Sequence, residues 1–135
     1  MDPQVLKIDL DCRTKSKAIA ILKERLAYCH DLNFFHAKQI VRVELIKKSS
    51  YGARIRLNTG WKPEWIVILQ LILGSDWQKE VNTLINHFKL EMEYSNRLFT
   101  VKRYKEGVIL GAEVTDVTEM IFRHVYNNHR HLNKN

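Results

Sequence analysis

A chain of 135 residues has room for one ordinary domain, and 45% apolar with 27% charged residues is the mix of a soluble globular core, which excludes a disordered tail protein. Two cysteines exclude a disulfide-dense scaffold, and the longest apolar run, Trp65 to Leu73 broken by Gln70, falls far short of the roughly 20 residues that span a bilayer. The net charge is +7, from 22 Lys+Arg against 15 Asp+Glu, so the chain either meets a polyanion or keeps a solvated basic surface.

Val5 to Leu10 alternates apolar and polar side chains and predicts a strand. Ser16 stands as N-cap of an amphipathic helix over 16–30, with Ile19, Leu22, Leu26 and Cys29 at helical spacing. Residues 40–47 predict a second strand with Val41, Val43 and Leu45 on one face. A turn over Lys48 to Gly52 leads into a third strand, Ala53 to Asn58, where Arg54 and Arg56 alternate with Ile55 and Leu57. Pro63 suits a first helical turn. Residues 64–73 are apolar almost all round and fit a buried helix, while Ile66, Val67, Ile68 and Ile72 leave a buried strand open.

Gly74 ends that element, and Ser75 with Gln78 forms a capping box for a helix carrying Trp77, Val81, Leu84, Ile85 and Phe88. Alternation over 89–104 around Ser95-Asn96 predicts a hairpin, and Val108 to Val114 a further strand. Asp116 with Glu119 repeats the capping-box signature before a final helix with Val117, Met120, Ile121 and Val125. The expected fold is α+β: an antiparallel sheet with helices on one face and a ferredoxin- or RRM-like split βαβ core. One domain over 1–127 and a polar tail over 128–135 complete the division. No secretory signal pattern opens the chain, so the expected setting is intracellular, a cytoplasm without membrane attachment.

The charge is uneven. Residues 1–60 hold 12 basic and 6 acidic side chains, residues 61–96 hold 3 and 5, and residues 97–135 hold 7 and 4. The basic excess therefore lies on the first and last thirds, with an acidic middle. Arg54 and Arg56 share one strand face, and with Arg42 and Lys47 they fit phosphate contact; the alternative is cross-strand pairing with Glu44. Lys102-Arg103-Tyr104-Lys105 is a second basic cluster with an aromatic inside it, suited to a single-stranded backbone or to a solvated hairpin tip. Arg13, Lys15 and Lys17 oppose the dipole of the first helix, which hints at a partner outside the fold.

Asp9 and Asp11 lie at the end of the first strand, where alternation puts both carboxylates on one side, roughly 6–7 Å apart. Such a pair can hold Mg²⁺ or Mn²⁺ for phosphoryl transfer, or it can serve the helix start and an arginine across the sheet. Asp9-Leu10-Asp11 followed by the hairpin Ser49-Ser50-Tyr51-Gly52-Ala53-Arg54-Ile55-Arg56 resembles the archaeo-eukaryotic primase core. That family has an RRM-like catalytic unit, and the resemblance implies metal binding by Asp9 and Asp11 with phosphate contacts from the Ser-Gly hairpin. The family histidine is missing, since Ala53 or Arg54 stands in its place, and a third acidic motif has only Asp76 and Asp116 as candidates. The pattern with Leu73-Gly74-Ser75-Asp76 after the hairpin is also similar to small uncharacterised proteins of archaeal plasmids and viruses. The two resemblances imply a mobile-element protein in nucleic-acid metabolism that has lost catalysis.

An RRM that stacks bases carries aromatic residues on its central strands. Here the third strand has arginines instead, so contact with the phosphate backbone is expected, with little sequence preference. His129-Arg130-His131 with His124 reads as part of a basic tail, and a zinc site lacks a nearby Cys or carboxylate. Trp61, Trp65 and Trp77 are core anchors or, where exposed, mark a partner surface. No P-loop, G-x-G-x-x-G or nucleophile motif is present. The expected function is nucleic-acid binding without catalysis or cofactor, carried by Arg42, Lys47, Arg54, Arg56, Lys102 and Arg103. The alternatives are a metal-dependent nucleotidyl-transfer or nuclease domain using Asp9 and Asp11, and a homodimeric interaction module.

Overall fold

The computed structural model of the chain describes residues 2–32, 37–88, 104–105, 108–109 and 112–132. In chain order the elements are β1 (Val5–Cys12), α1 (Lys15–Asp31), β2 (Ile40–Lys47), β3 (Tyr51–Leu57), α2 (Pro63–Ile72), α3 (Trp77–Phe88), β4 (Tyr104–Lys105), β5 (Val108–Ile109), β6 (Glu113–Asp116) and α4 (Thr118–Leu132), with a 3₁₀ turn at Ala37–Gln39 before β2. The apolar run after Pro63 is a helix; burial alone suits either element, and the proline at its N-terminus matches the helical outcome. The predicted hairpin over 89–104 lies outside the described residues except for Tyr104, which belongs to β4. The single strand expected over 108–114 is divided: β5 pairs with β4, and β6 joins the main sheet. α4 runs on to Leu132, into the stretch expected to be a polar tail, because propagating an established helix costs far less than starting one.

The main sheet is four-stranded and antiparallel, in the order β1-β3-β2-β6. β3 lies between β1 and β2, which α1 connects, so the split βαβ arrangement is present. Alternation sends Leu6, Ile8, Leu10, Val43, Leu45, Ala53, Ile55 and Leu57 to one side. There they join Leu22 and Leu26 of α1, Ile66 and Leu69 of α2, and Ile121 and Val125 of α4 in one buried core. Val41 departs from its expected place. The register shifts between Ile40 and Arg42, Ile40 takes the core position, and Val41 is left exposed.

At α1 and α3 the cap is a neighbour of the residue first expected, and at α4 it is the expected Asp116. Thr14, not Ser16, caps α1 and accepts from the Lys17 backbone N–H. Asp76, not Ser75, accepts from the Lys79 N–H at the start of α3. Asp116 accepts from both the N–H and the hydroxyl of Thr118 at the start of α4. Val117 N–H donates to the Val43 carbonyl, and the Val43 N–H donates to Thr118 Oγ1, which fastens α4 onto β2.

Ser75 is drawn away from capping by the edge of β1. No strand flanks β1 on its outer side among the described residues, so the backbone groups of Lys7 and Asp9 there need other partners. The Lys7 N–H donates to Gln70 Oε1 at 2.8 Å, and the Asp9 N–H donates to Ser75 Oγ at 2.9 Å. Lys79 Nζ donates to the Lys7 carbonyl and the Asp76 N–H to the Asp9 carbonyl, both at 2.7 Å. Behind this row sits Glu80, fully buried, accepting from Gln70 Nε2, Ser75 Oγ and Lys79 Nζ. The corner between α2 and α3 thus does for β1 what a neighbouring strand would do. Among the described residues no helix is long and apolar enough to cross a membrane.

Candidate nucleic-acid interface

The sheet face away from α1, α2 and α4 follows from the register. One row across it reads Lys7, Arg54, Glu44, Asp116 on β1, β3, β2 and β6. The next row reads Val5, Arg56, Arg42. Period-two alternation on β3 therefore puts Arg54 and Arg56 on one face, as the sequence suggests, and cross-strand pairing adds Arg42 to them. The strip is bounded, because Val5 and Ile46, which alternation sends to the same side, are buried.

Glu44 organises the strip. Arg54 donates from Nε and Nη2 to Glu44 Oε1 at 3.1 and 3.0 Å. Arg42 Nη2 lies 3.3 Å from Glu44 Oε2 and 3.7 Å from Asp116 Oδ2. The alternative of cross-strand pairing with Glu44 is thus realised for Arg54, while Arg42 meets Glu44 along β2 and Asp116 across on β6. Arg56 is exposed and has no ion-pair partner among the described residues. Hydrogen bonds from the Thr118 hydroxyl and N–H, and then the nearby Arg42, hold the Asp116 carboxyl below its ordinary pKa. Burial, and then the neighbouring Arg54 charge, push the Lys7 ammonium below its ordinary value. Lys7 is the cation that motif reading missed; its place opposite Arg54 needs the register, which local alternation does not give.

The other residues expected at the interface fall elsewhere. Alternation with Val43 and Leu45 puts Lys47 on the helix-bearing side, where its Nζ lies 5.7 Å from the centre of the Tyr51 ring. Lys47 is thus removed from the arginine strip. Lys102 and Arg103 lie outside the described residues.

Asp9 and Asp11 do not keep strand alternation. The register shifts between Asp9 and Cys12, and Asp11 has a left-handed backbone with φ of 47°. The Asp11 N–H donates to Asp9 Oδ1 at 3.1 Å, the local turn that an aspartate makes with its own backbone. Burial raises the Asp9 pKa, and the charges of Asp11 and Asp76 raise it further against the lowering by the Asp11 N–H and Lys79. Asp76 is therefore the nearby third carboxylate, although among the described residues no group of three or more His, Cys, Asp or Glu side chains is placed to hold a metal ion. Among the described residues the carboxylates are therefore not gathered into a three-donor set.

The tryptophans divide. Trp61 packs against the core, while Trp65 and Trp77 are exposed on α2 and α3. Comparison of the chain with known protein families, curated proteins and solved structures found no match. The likeness to the primase core rests on its motifs alone.

Proposed function

We propose that this chain binds nucleic acid by its phosphate backbone, across the strip formed by Arg42, Arg54 and Arg56. The observation that carries the reading is the direct cross-strand pairing of Arg42 with Arg56, both exposed. Like charges opposite each other weaken a sheet, and while Glu44 and Asp116 offset Arg42, no ion pair among the described residues offsets Arg56. A phosphate between the two guanidinium groups would convert that local cost into two charge-assisted contacts. Glu44 and Asp116 fix Arg42 and Arg54, so less side-chain freedom is lost on binding.

The strip carries no aromatic residue. On this face β3 presents Gly52, Arg54 and Arg56, which suits backbone contact and weak sequence preference. The overall charge of +7 would add long-range attraction. The reading is of a binding protein and assigns no catalytic residue. Its setting is inside a cell, on the nucleic acid of a virus or plasmid, in keeping with the motif likeness.

Fluorescence anisotropy with labelled single- and double-stranded DNA and RNA at low salt tests this. Micromolar or tighter binding is expected, and Arg56→Glu should weaken it by at least roughly tenfold. Absence of binding to all four at low salt would remove the proposal.

A further inference from the structure

α3 is inside out. Trp77, Val81 and Ile85 recur at four-residue spacing and form its apolar stripe, yet they are 64%, 42% and 44% exposed. The side chains it buries are polar, with Glu80 at 0% and Thr83 at 1%. The cause is visible at β1, whose edge needs Lys79 and the Glu80 network behind it. The fold thus uses the polar side of α3 and leaves the apolar side without a partner among the described residues. α2, which packs against α3, has an outward apolar face of its own. Ile66 and Leu69 enter the core, while Trp65, Ile68 and Leu71 face outward and are at least 40% exposed.

We infer that the outer faces of α2 and α3 form a self-association surface, whose occupant is a second copy of this chain. Area and charge both favour a second copy. Three outward side chains from each helix, two of them tryptophans, present on the order of 500 Å² of apolar surface, at the upper end of what single-chain proteins leave exposed. With its polar rim such a patch reaches the roughly 800 Å² per partner of a standard stable interface.

Charge favours the same occupant. A chain of +7 repels its own copies over most of its surface. The α2–α3 region is the exception: exposed Lys62 stands against exposed Glu64 and half-buried Asp76, while Lys79 and Glu80 neutralise each other inside the fold. Two copies can approach there without a basic-on-basic encounter, and the mixed signs at the rim suit a two-fold contact in which each copy presents the same patch. The same acidic residues disfavour an anionic lipid surface or a nucleic acid as the occupant. The surface is separate from the arginine strip, so a dimer would carry two strips at once and bind a long polyanion more tightly than either strip alone.

Sedimentation velocity on nuclease-treated full chain tests this across a concentration series, in low and high salt. The expected species has about twice the chain mass of 16.0 kDa and persists or strengthens in high salt, as apolar contact does. Trp77→Lys and Ile85→Lys, each at an exposed position, should weaken the dimer at least roughly tenfold while leaving the far-UV circular dichroism unchanged. If Trp77→Lys does not fold, the milder Val81→Ser is read in its place. A wild-type chain that stays monomeric at high concentration overturns the inference. So does a dimer that salt dissolves, or one that these variants leave intact. None of these results bears on the arginine strip, whose own test is binding by Arg56→Glu.

Discussion

Lys79 Nζ lies 2.7 Å from the carbonyl oxygen of Lys7. This hydrogen bond joins α3 to the edge of β1, and the same ammonium stands 2.9 Å from Glu80 Oε2. Burial lowers the Lys79 pKa against the raising effect of Glu80, so the charged lysine is retained at a desolvation cost for the sake of the edge. Glu80 is the hub, and its removal leaves Gln70, Ser75 and Lys79 short of acceptors.

Glu80→Ala should therefore lower the unfolding free energy by about 3 kcal/mol, the range for stripping one partner from a buried polar cluster. Glu80→Gln keeps an accepting oxygen and should cost less. Urea unfolding of the three proteins checks this, and an alanine variant within about 1 kcal/mol of wild type would contradict the edge-capping role.

Gly74 turns the chain from α2 to α3 with φ of 101°. Its N–H donates to the Leu71 carbonyl and the Ser75 N–H to the Gln70 carbonyl, the bonding that closes a helix on a left-handed glycine. A Cβ here would meet Ile21 Cγ2 at 2.9 Å. Gly74→Ala should destabilise the fold by about 1–3 kcal/mol through strain and crowding together, read from the same unfolding curves.

Asp9 supplies a pH signature. Its folded pKa is raised above 3.8, so the folded chain holds the Asp9 proton more tightly than the unfolded chain does. Its contribution to stability is thus lost as pH rises through that window. Asp9→Asn keeps an oxygen for the Asp11 N–H and removes the half-buried charge. The variant should melt higher than wild type at pH 7, with the gap closing as pH falls toward 3.8. A variant that melts lower at pH 7 would show that the carboxylate is needed by the fold.

Glu44 holds two arginines and also subtracts charge from the strip. Glu44→Gln should cost less than about 1 kcal/mol of stability, since Arg42 and Arg54 remain partly solvated. Nucleic-acid affinity should rise by on the order of threefold at low salt. Affinity that falls instead would mean that holding the guanidinium groups in place matters more than the added charge.

Local alternation is enough to read β1, β2 and β3 and to put Arg54 and Arg56 on one face, because a period of two needs no tertiary information. It fails at Val41 and Asp11, where register shifts change the phase and no residue type announces the change. Ser75 shows the same limit in another form. Its hydroxyl can satisfy a helix N–H or a strand N–H, and only the packing of the corner against β1 decides. Helical spacing finds the stripe Trp77, Val81, Ile85 but cannot say which side of α3 turns inward. Alternation counted from Val43 already separates Lys47 from the strip, whereas β6 beside β2 is a non-local pairing invisible to any window.

The central claim is that Arg42 and Arg56 meet phosphate. Anisotropy titrations of wild type and the double variant Arg42→Gln/Arg56→Gln with one labelled duplex, over a series of salt concentrations, test it most directly. Wild-type affinity should fall linearly in log salt. The double variant should bind more weakly, with a slope shallower by about 1, for the one phosphate that the two arginines no longer hold. A double variant that keeps the wild-type slope would contradict the account and place the polyanion elsewhere on the chain.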